Sequence, residues 1–149
     1  RVICLMATVQ KSALIKYSAQ QMFDLVDDIA AYPDFLPWCT GSEVMLREGN
    51  VVEAKVQIAK GGFKNAFATR NVNQSAESIA MSLLEGPFSS LEGVWRFLPL
   101  REDASKISLD LEFEMNGMLA NLAFGTVFNQ ICNTMVTSFT ERAKQVYGT

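Results

Sequence analysis

The sequence has no histidine. That absence removes the Ser-His-Asp triad, the Cys-His pair, imidazole acid–base chemistry and imidazole metal ligation together. Cysteine is scarce. Cys4, Cys39 and Cys132 are odd in number, widely spaced, and form no Cys-x-x-Cys. Such a set reads as small buried hydrophobes in a reducing compartment, not as a zinc site or a disulfide framework. No apolar run approaches the ~18 residues of a membrane-spanning helix. Positive charge is in the minority, with a net charge of −3. That balance disfavours bulk attraction to nucleic acid, and no DNA partner is expected, although a local basic patch stays open. The carboxylates form no catalytic pair. Asp27 and Asp28 are neighbours and point apart on a helix. Asp24 and Asp28 share a helix face, and Glu112 and Glu114 share a strand face, but solvated surfaces account for both. No enzymatic role, required cofactor or metal is read from these residues.

What is present is a globular composition. The chain has 149 residues, 49% of them hydrophobic, with ten Phe and seven Met. One domain is expected, over residues 6–149. Arg1 to Leu5 precede Met6, which reads as a natural start. Residues 1–5 are therefore expected to be an upstream remnant, too short for a secretory signal.

The periodicity changes twice. Thr8–Tyr17 alternates like a first strand. Ser18 and Gln21 then form a capping box ahead of a helix carrying Met22, Phe23, Leu25, Val26 and Ile29. Pro33 and Pro37 stop that helix and fix an aromatic-rich turn. Strands follow at Glu43–Arg47, Val51–Lys60, Phe63–Asn73, Glu77–Leu84, Leu91–Leu98 and Lys106–Met115. Their turns are Glu48-Gly-Asn50, Gly61-Gly62, Gly86-Pro87-Phe88 and Arg101–Ser105. The last segment, Leu119 to Tyr147, repeats its apolar residues every three or four positions. That is a helix of ~40 Å. It must bury its stripe, most simply on the concave face of a twisted antiparallel sheet. The expected class is α+β, with about six to seven strands wrapped around the C-terminal helix.

Strand parity turns Val56, Ile58, Phe67, Met81, Leu83, Trp95, Phe97, Leu109, Leu111 and Phe113 inward. The helix adds Phe124, Phe128, Ile131, Cys132 and Met135. These residues either fill a solid core or line an adaptable apolar pocket. Asn65, Thr69, Asn129 and Asn133 are the candidate polar groups on or near that face. Gly93 leaves room for a close approach of backbone or ligand beside Trp95. Charge is uneven as well. Tyr17 to Leu46 holds Asp24, Asp27, Asp28, Asp34 and Glu43 but no Lys or Arg. Ala54 to Ala76 holds Lys55, Lys60, Lys64 and Arg70 but no acid. The second stretch is a cationic hairpin with Phe63 at its tip. It suits RNA phosphates or an anionic membrane surface, or is simply a lysine-protected sheet edge.

The octet Tyr32-Pro-Asp-Phe-Leu-Pro-Trp-Cys39 resembles the signature of the coenzyme Q-binding START-domain family. Its bacterial members include ribosome-association toxins, and its wider superfamily includes polyketide cyclases and lipid-transport proteins. Leu84-Glu-Gly-Pro-Phe88, Leu91-Glu-Gly-Val-Trp-Arg-Phe97 and Phe124-Gly-Thr-Val-Phe-Asn-Gln-Ile131 extend the likeness across Met6 to Tyr147. The resemblance implies a helix-grip fold with an apolar tunnel between sheet and long helix. It implies non-enzymatic binding of ubiquinone or a related isoprenoid lipid, in support of respiration. Phe35, Trp38, Phe67, Met81, Trp95, Phe97, Leu109, Leu111, Phe113, Phe124, Phe128 and Met135 would then contact the ligand. The alternative it implies is toxin-type binding to the large ribosomal subunit, blocking subunit association. Lys55, Lys60, Lys64 and Arg70 would form the ribosome or membrane surface. A cytoplasmic location fits, with transient contact at the inner membrane.

Overall fold

The computed structural model describes residues 6–117 and 119–148, with residues 119–121 described as backbone only. The expected upstream remnant, residues 1–5, lies outside the described residues, and Cys4 with it.

Among the described residues, seven antiparallel strands form one sheet. They are β1 (Ala7–Ile15), β2 (Cys39–Glu48), β3 (Val51–Lys60), β4 (Phe63–Gln74), β5 (Ser78–Glu85), β6 (Phe88–Arg101) and β7 (Ala104–Met115). The spatial order is β1-β7-β6-β5-β4-β3-β2. Strands β2 to β7 are a meander, each beside its predecessor. Only β1 departs from it, pairing with β7 so that Val9 faces Leu111 and Ala13 faces Ile107. The chain must then cross from one edge of the sheet to the other. It does so through helix α1 (Ala19–Asp27) and a 3-10 turn at Ile29–Asp34.

Local chemistry sets these boundaries. Ser18 Oγ accepts from the Gln21 amide at 3.0 Å, and Gln21 Oε1 accepts from the Ser18 amide at 2.9 Å. The capping box thus satisfies two amides that the helix start leaves unpaired. Gly61 and Gly62 both have positive φ, 61° and 84°. Two such residues match the right-handed twist of the strands that the β3–β4 hairpin joins. Two strands run longer than their alternation indicates. β2 begins at Cys39 because it absorbs irregularities between Cys39 and Gly41 and between Val44 and Leu46. β6 continues through Pro99 to Arg101 by a register shift there.

The C-terminal helix α2 (Leu119–Tyr147) closes the fold. Its stripe of Phe124, Phe128, Ile131, Cys132, Phe139 and Ala143 is buried. On β7, Ile107, Leu109, Leu111 and Phe113 are buried in step with it. Two tyrosines fasten the far end of α2: Tyr17 donates to the Gly148 carbonyl, and Tyr147 donates to the Gln21 carbonyl at 3.1 Å. Among the described residues, no helix is long and apolar enough to cross a membrane. The result is the helix-grip arrangement that the sequence pattern calls for.

Candidate functional site

The core between sheet and helix is organised by aromatic rings in two groups. Near the start of α2, Phe128 meets Phe113 at 4.8 Å, Phe88 at 4.9 Å and Phe67 at 5.5 Å between centroids. Further along α2, Phe139 meets Trp95 and Phe35 at 5.4 Å and Tyr32 at 5.5 Å. Most of these contacts are edge-to-face, the arrangement that ring quadrupoles favour.

Between the two groups lies a cavity of about 90 Å³. It is bordered by Ile29, Tyr32, Trp38, Ala54, Val56, Phe67, Thr69, Asn71, Met81, Leu91, Trp95, Leu109, Leu111, Phe128, Ile131, Cys132 and Met135. Sites for drug-sized ligands run to ~300–1,000 Å³. A dry apolar cavity of ~150 Å³ accepts benzene. The space is smaller than either and well short of a tunnel for an isoprenoid chain, because the Phe67–Phe88–Phe113–Phe128 group packs beside it. Met81 and Met135, flexible and half-buried, are the wall residues best able to give way.

Strand parity locates much of this wall. Of the residues that the resemblance would set against a ligand, Trp38, Phe67, Met81, Trp95, Leu109, Leu111, Phe128 and Met135 border the cavity. Phe35, Phe97, Phe113 and Phe124 do not. Phe35 packs on Phe139 and under the Arg142 guanidinium, 4.8 Å from its ring centre. Phe97 is covered by Phe23 of α1 at 5.6 Å. Phe113 and Phe124 belong to the ring group around Phe128. Parity tells which side of a strand a residue faces, but not which stretch of that side another side chain fills.

Thr69 is the one polar candidate that reaches the cavity. Its hydroxyl donates to Asn71 Oδ1 at 2.9 Å, and both residues are buried. Asn71 was not among the polar candidates, although it lies two residues after Thr69 and so shares its face. Asn65 instead accepts from the Ala66 amide, and Asn133 bonds the Asn129 carbonyl along the outside of α2. Burial pushes the Tyr32 phenol up, with Asp27, Cys39 and Asp28 adding to it. Its hydroxyl donates to the Val26 carbonyl at 2.5 Å. Burial alone pushes the Cys132 thiol up. Both groups stay neutral, so the described residues of the cavity wall carry no charge. The described residues hold no cluster of three or more metal-ligating side chains.

Gly93 on β6 lies directly opposite Leu111 on β7 and Met81 on β5. A Cβ at this position would stand 2.5 Å from Leu111 Cδ1 and 3.1 Å from Met81 Cε. Both neighbours border the cavity, so the missing side chain of Gly93 helps to set the space available there.

The basic hairpin is only partly as the sequence draws it. Arg70 pairs with Glu53 at 3.5 Å, directly across the β3–β4 ladder, and Lys55 with Glu85 of β5 at 3.8 Å. Neither acid lies in the Ala54–Ala76 window, so the window overstates free charge. Lys60 and Lys64 are exposed and have no ion-pair partner among the described residues. Phe63 is not a free apolar tip. It is half-buried and packs on Phe124 at 6.2 Å. In the acidic stretch, Asp27 is a structural tie, bonded by Arg47 at 3.1 Å and by Asn73 Nδ2 at 2.9 Å.

Residues 15–140 match the family model for polyketide cyclase / dehydrase and lipid transport. The ribosome association toxin RatA of Vibrio cholerae serotype O1 is 49% identical over 143 residues, covering 96% of this chain and 99% of that protein. The mitochondrial coenzyme Q-binding protein COQ10 homolog B of Xenopus laevis is 26% identical over 142 residues, covering 93% of this chain and 58% of that protein. Among solved structures, the Zhui aromatase/cyclase from Streptomyces sp. R1128 covers 94% of both chains with a TM-score of 0.83 and 17% identity. A START superfamily protein from Mycobacterium smegmatis gives a TM-score of 0.79 at 19% identity, covering 93% of this chain and 98% of that one. At those identities, the two structures speak for the fold.

Proposed function

The chain belongs to the polyketide cyclase / dehydrase and lipid transport family, and from that premise we propose that it binds the large ribosomal subunit and blocks subunit association. The observation that carries this reading is the end-to-end match, at 49% identity, to a protein named for ribosome association. The 26% match to a coenzyme Q-binding protein is weaker and covers 58% of that protein. The two readings of the sequence therefore change order. The contact surface is the β3–β4 hairpin tip, where Lys60 and Lys64 present positive charge with no ion-pair partner among the described residues. With Phe63 turned onto α2, the tip lacks an apolar wedge for a membrane and suits phosphate. A ribosomal partner places this work in the cytoplasm. On this reading the protein acts by binding, in keeping with relatives named for ribosome association and for coenzyme Q binding.

Sedimentation with isolated subunits tests this reading. The protein is expected to travel with the large subunit, to a degree that falls as salt rises. Free protein at the top of the gradient with both subunits, at low salt, would refute it.

A second reading rests on the cavity: the same domain holds an uncharged, largely apolar molecule there, ubiquinone or a related lipid being the candidate. Gly93→Ala is the variant that tests the space. Its methyl pushes Leu111 and Met81 into the cavity, so decyl-ubiquinone affinity is expected to fall by about tenfold or more, at a stability cost of ~1–3 kcal/mol. Unchanged affinity in a folded variant would show that the ligand sits elsewhere.

A further inference from the structure

Val56 and Ile58 are buried on the core side of β3, so Gln57 between them points to the outer face of the sheet. Ala59 lies opposite Lys64 in the β3–β4 ladder, and both share that outer face. There, beside the hairpin tip, an open cleft of about 470 Å³ is bordered by Thr40, Gln57, Ile58, Ala59, Lys64 and Asn65. Gly41 pairs with Gln57 across the β2–β3 ladder, and a Cβ on it would stand 3.1 Å from Gln57 Oε1. The Gln57 amide therefore lies across bare backbone, at the border of the cleft. The side chains of Thr40, Gln57 and Lys64 are exposed and have no hydrogen-bond or ion-pair partner among the described residues. The cleft thus carries a neutral amide and a hydroxyl within, and one cation on the side of the hairpin tip.

On the ribosomal reading above, we infer that this cleft takes the base of an unpaired RNA nucleotide, read by the Gln57 amide while Lys64 holds a neighbouring phosphate. A primary amide sets a donor and an acceptor side by side. The edge of an unpaired base offers the complementary pair, and such edges are what proteins read in single-stranded RNA. In a duplex those edges are engaged by the opposite strand, and the narrow major groove keeps side chains out. Lysines alone would favour the duplex, whose charge is denser and whose counterion release is larger. The amide turns that preference toward single strands, so the hairpin docks on a loop or bulge of the large subunit's RNA and not on a helix.

Fluorescence anisotropy at low salt with two labelled probes tests the inference: octauridylate, which stays single-stranded, and a self-complementary guanylate–cytidylate octamer, which forms a duplex. Wild type is expected to bind octauridylate at least as tightly as the duplex. Gln57→Leu keeps the size of an exposed side chain and removes its amide. It is expected to weaken octauridylate by about tenfold and leave the duplex within about twofold. Retained duplex binding reports a folded hairpin. In sedimentation with large subunits the same variant should bind more weakly with an unchanged salt slope, whereas losing Lys64 makes the slope shallower by about one. Equal weakening of both probes, no weakening of either, or a wild type that binds neither overturns the inference; the large-subunit contact is then judged by sedimentation alone. A wild type that holds octauridylate through Gln57 but does not travel with the large subunit overturns the ribosomal reading and leaves the cleft as an RNA site.

Discussion

Phe139→Ala is expected to lower the melting temperature by about 10 °C. Phe139 is 0% exposed, and its ring is a shared partner for Tyr32, Phe35 and Trp95 at 5.4–5.5 Å. Those three residues belong to the 3-10 turn, the segment after it, and β6. One side chain of α2 therefore fastens the crossing connection and the sheet to the helix. Truncating a buried Phe costs ~3–5 kcal/mol through lost transfer energy and the cavity left behind. Edge-to-face pairs add ~0.5–1.5 kcal/mol apiece beyond area burial. Total stability is only ~5–15 kcal/mol, and each kcal/mol moves the midpoint of a chain this size by ~2–4 °C. Calorimetry or circular dichroism reads the shift. A midpoint within about 2 °C of wild type would mean that the Phe139 ring does not fasten the helix to the crossing connection and the sheet.

Lys60→Glu/Lys64→Glu is expected to weaken large-subunit binding by on the order of tenfold to a hundredfold while leaving the melting temperature nearly unchanged. Both lysines are exposed, and neither has an ion pair to break among the described residues. Each phosphate contact contributes about one unit to the slope of log affinity against log salt. The variant should therefore show a slope shallower by about two as well as weaker binding. Reversal at Lys55 or Arg70 would be harder to read, because it also breaks the pairs with Glu85 and Glu53. Intact co-sedimentation of the folded double variant would move the contact away from this hairpin.

The contrast between those four cations shows where sequence reading stops. Charge counted along a window cannot see Glu53 directly across the ladder from Arg70, nor Glu85 one strand further on. Local signals were easier. The Ser18–Gln21 box, the Gly61-Gly62 turn and the alternation of β7 each arise from neighbours in sequence, and each takes the expected form. The apolar period of α2 is local too, and the helix spans Leu119–Tyr147 as that period indicates. The cavity wall was half legible. Parity brought Trp95, Leu109 and Leu111 to it, yet parity equally chose Phe97 and Phe113, whose space is taken by rings from other elements. Tyr32 and Leu91 were missed because a cavity is defined by what fails to fill it. The buried indole N–H of Trp38, with no hydrogen-bond partner among the described residues, was beyond sequence altogether, since no pattern of residue types reports a missing partner.

The most direct measurement is a subunit-joining assay. Purified large and small subunits are mixed at associating magnesium concentration, with and without excess protein, and resolved on a sucrose gradient. The joined peak is expected to shrink as free subunits grow, with the protein migrating with the large subunit. An undiminished joined peak at saturating protein would contradict the proposed block of subunit association.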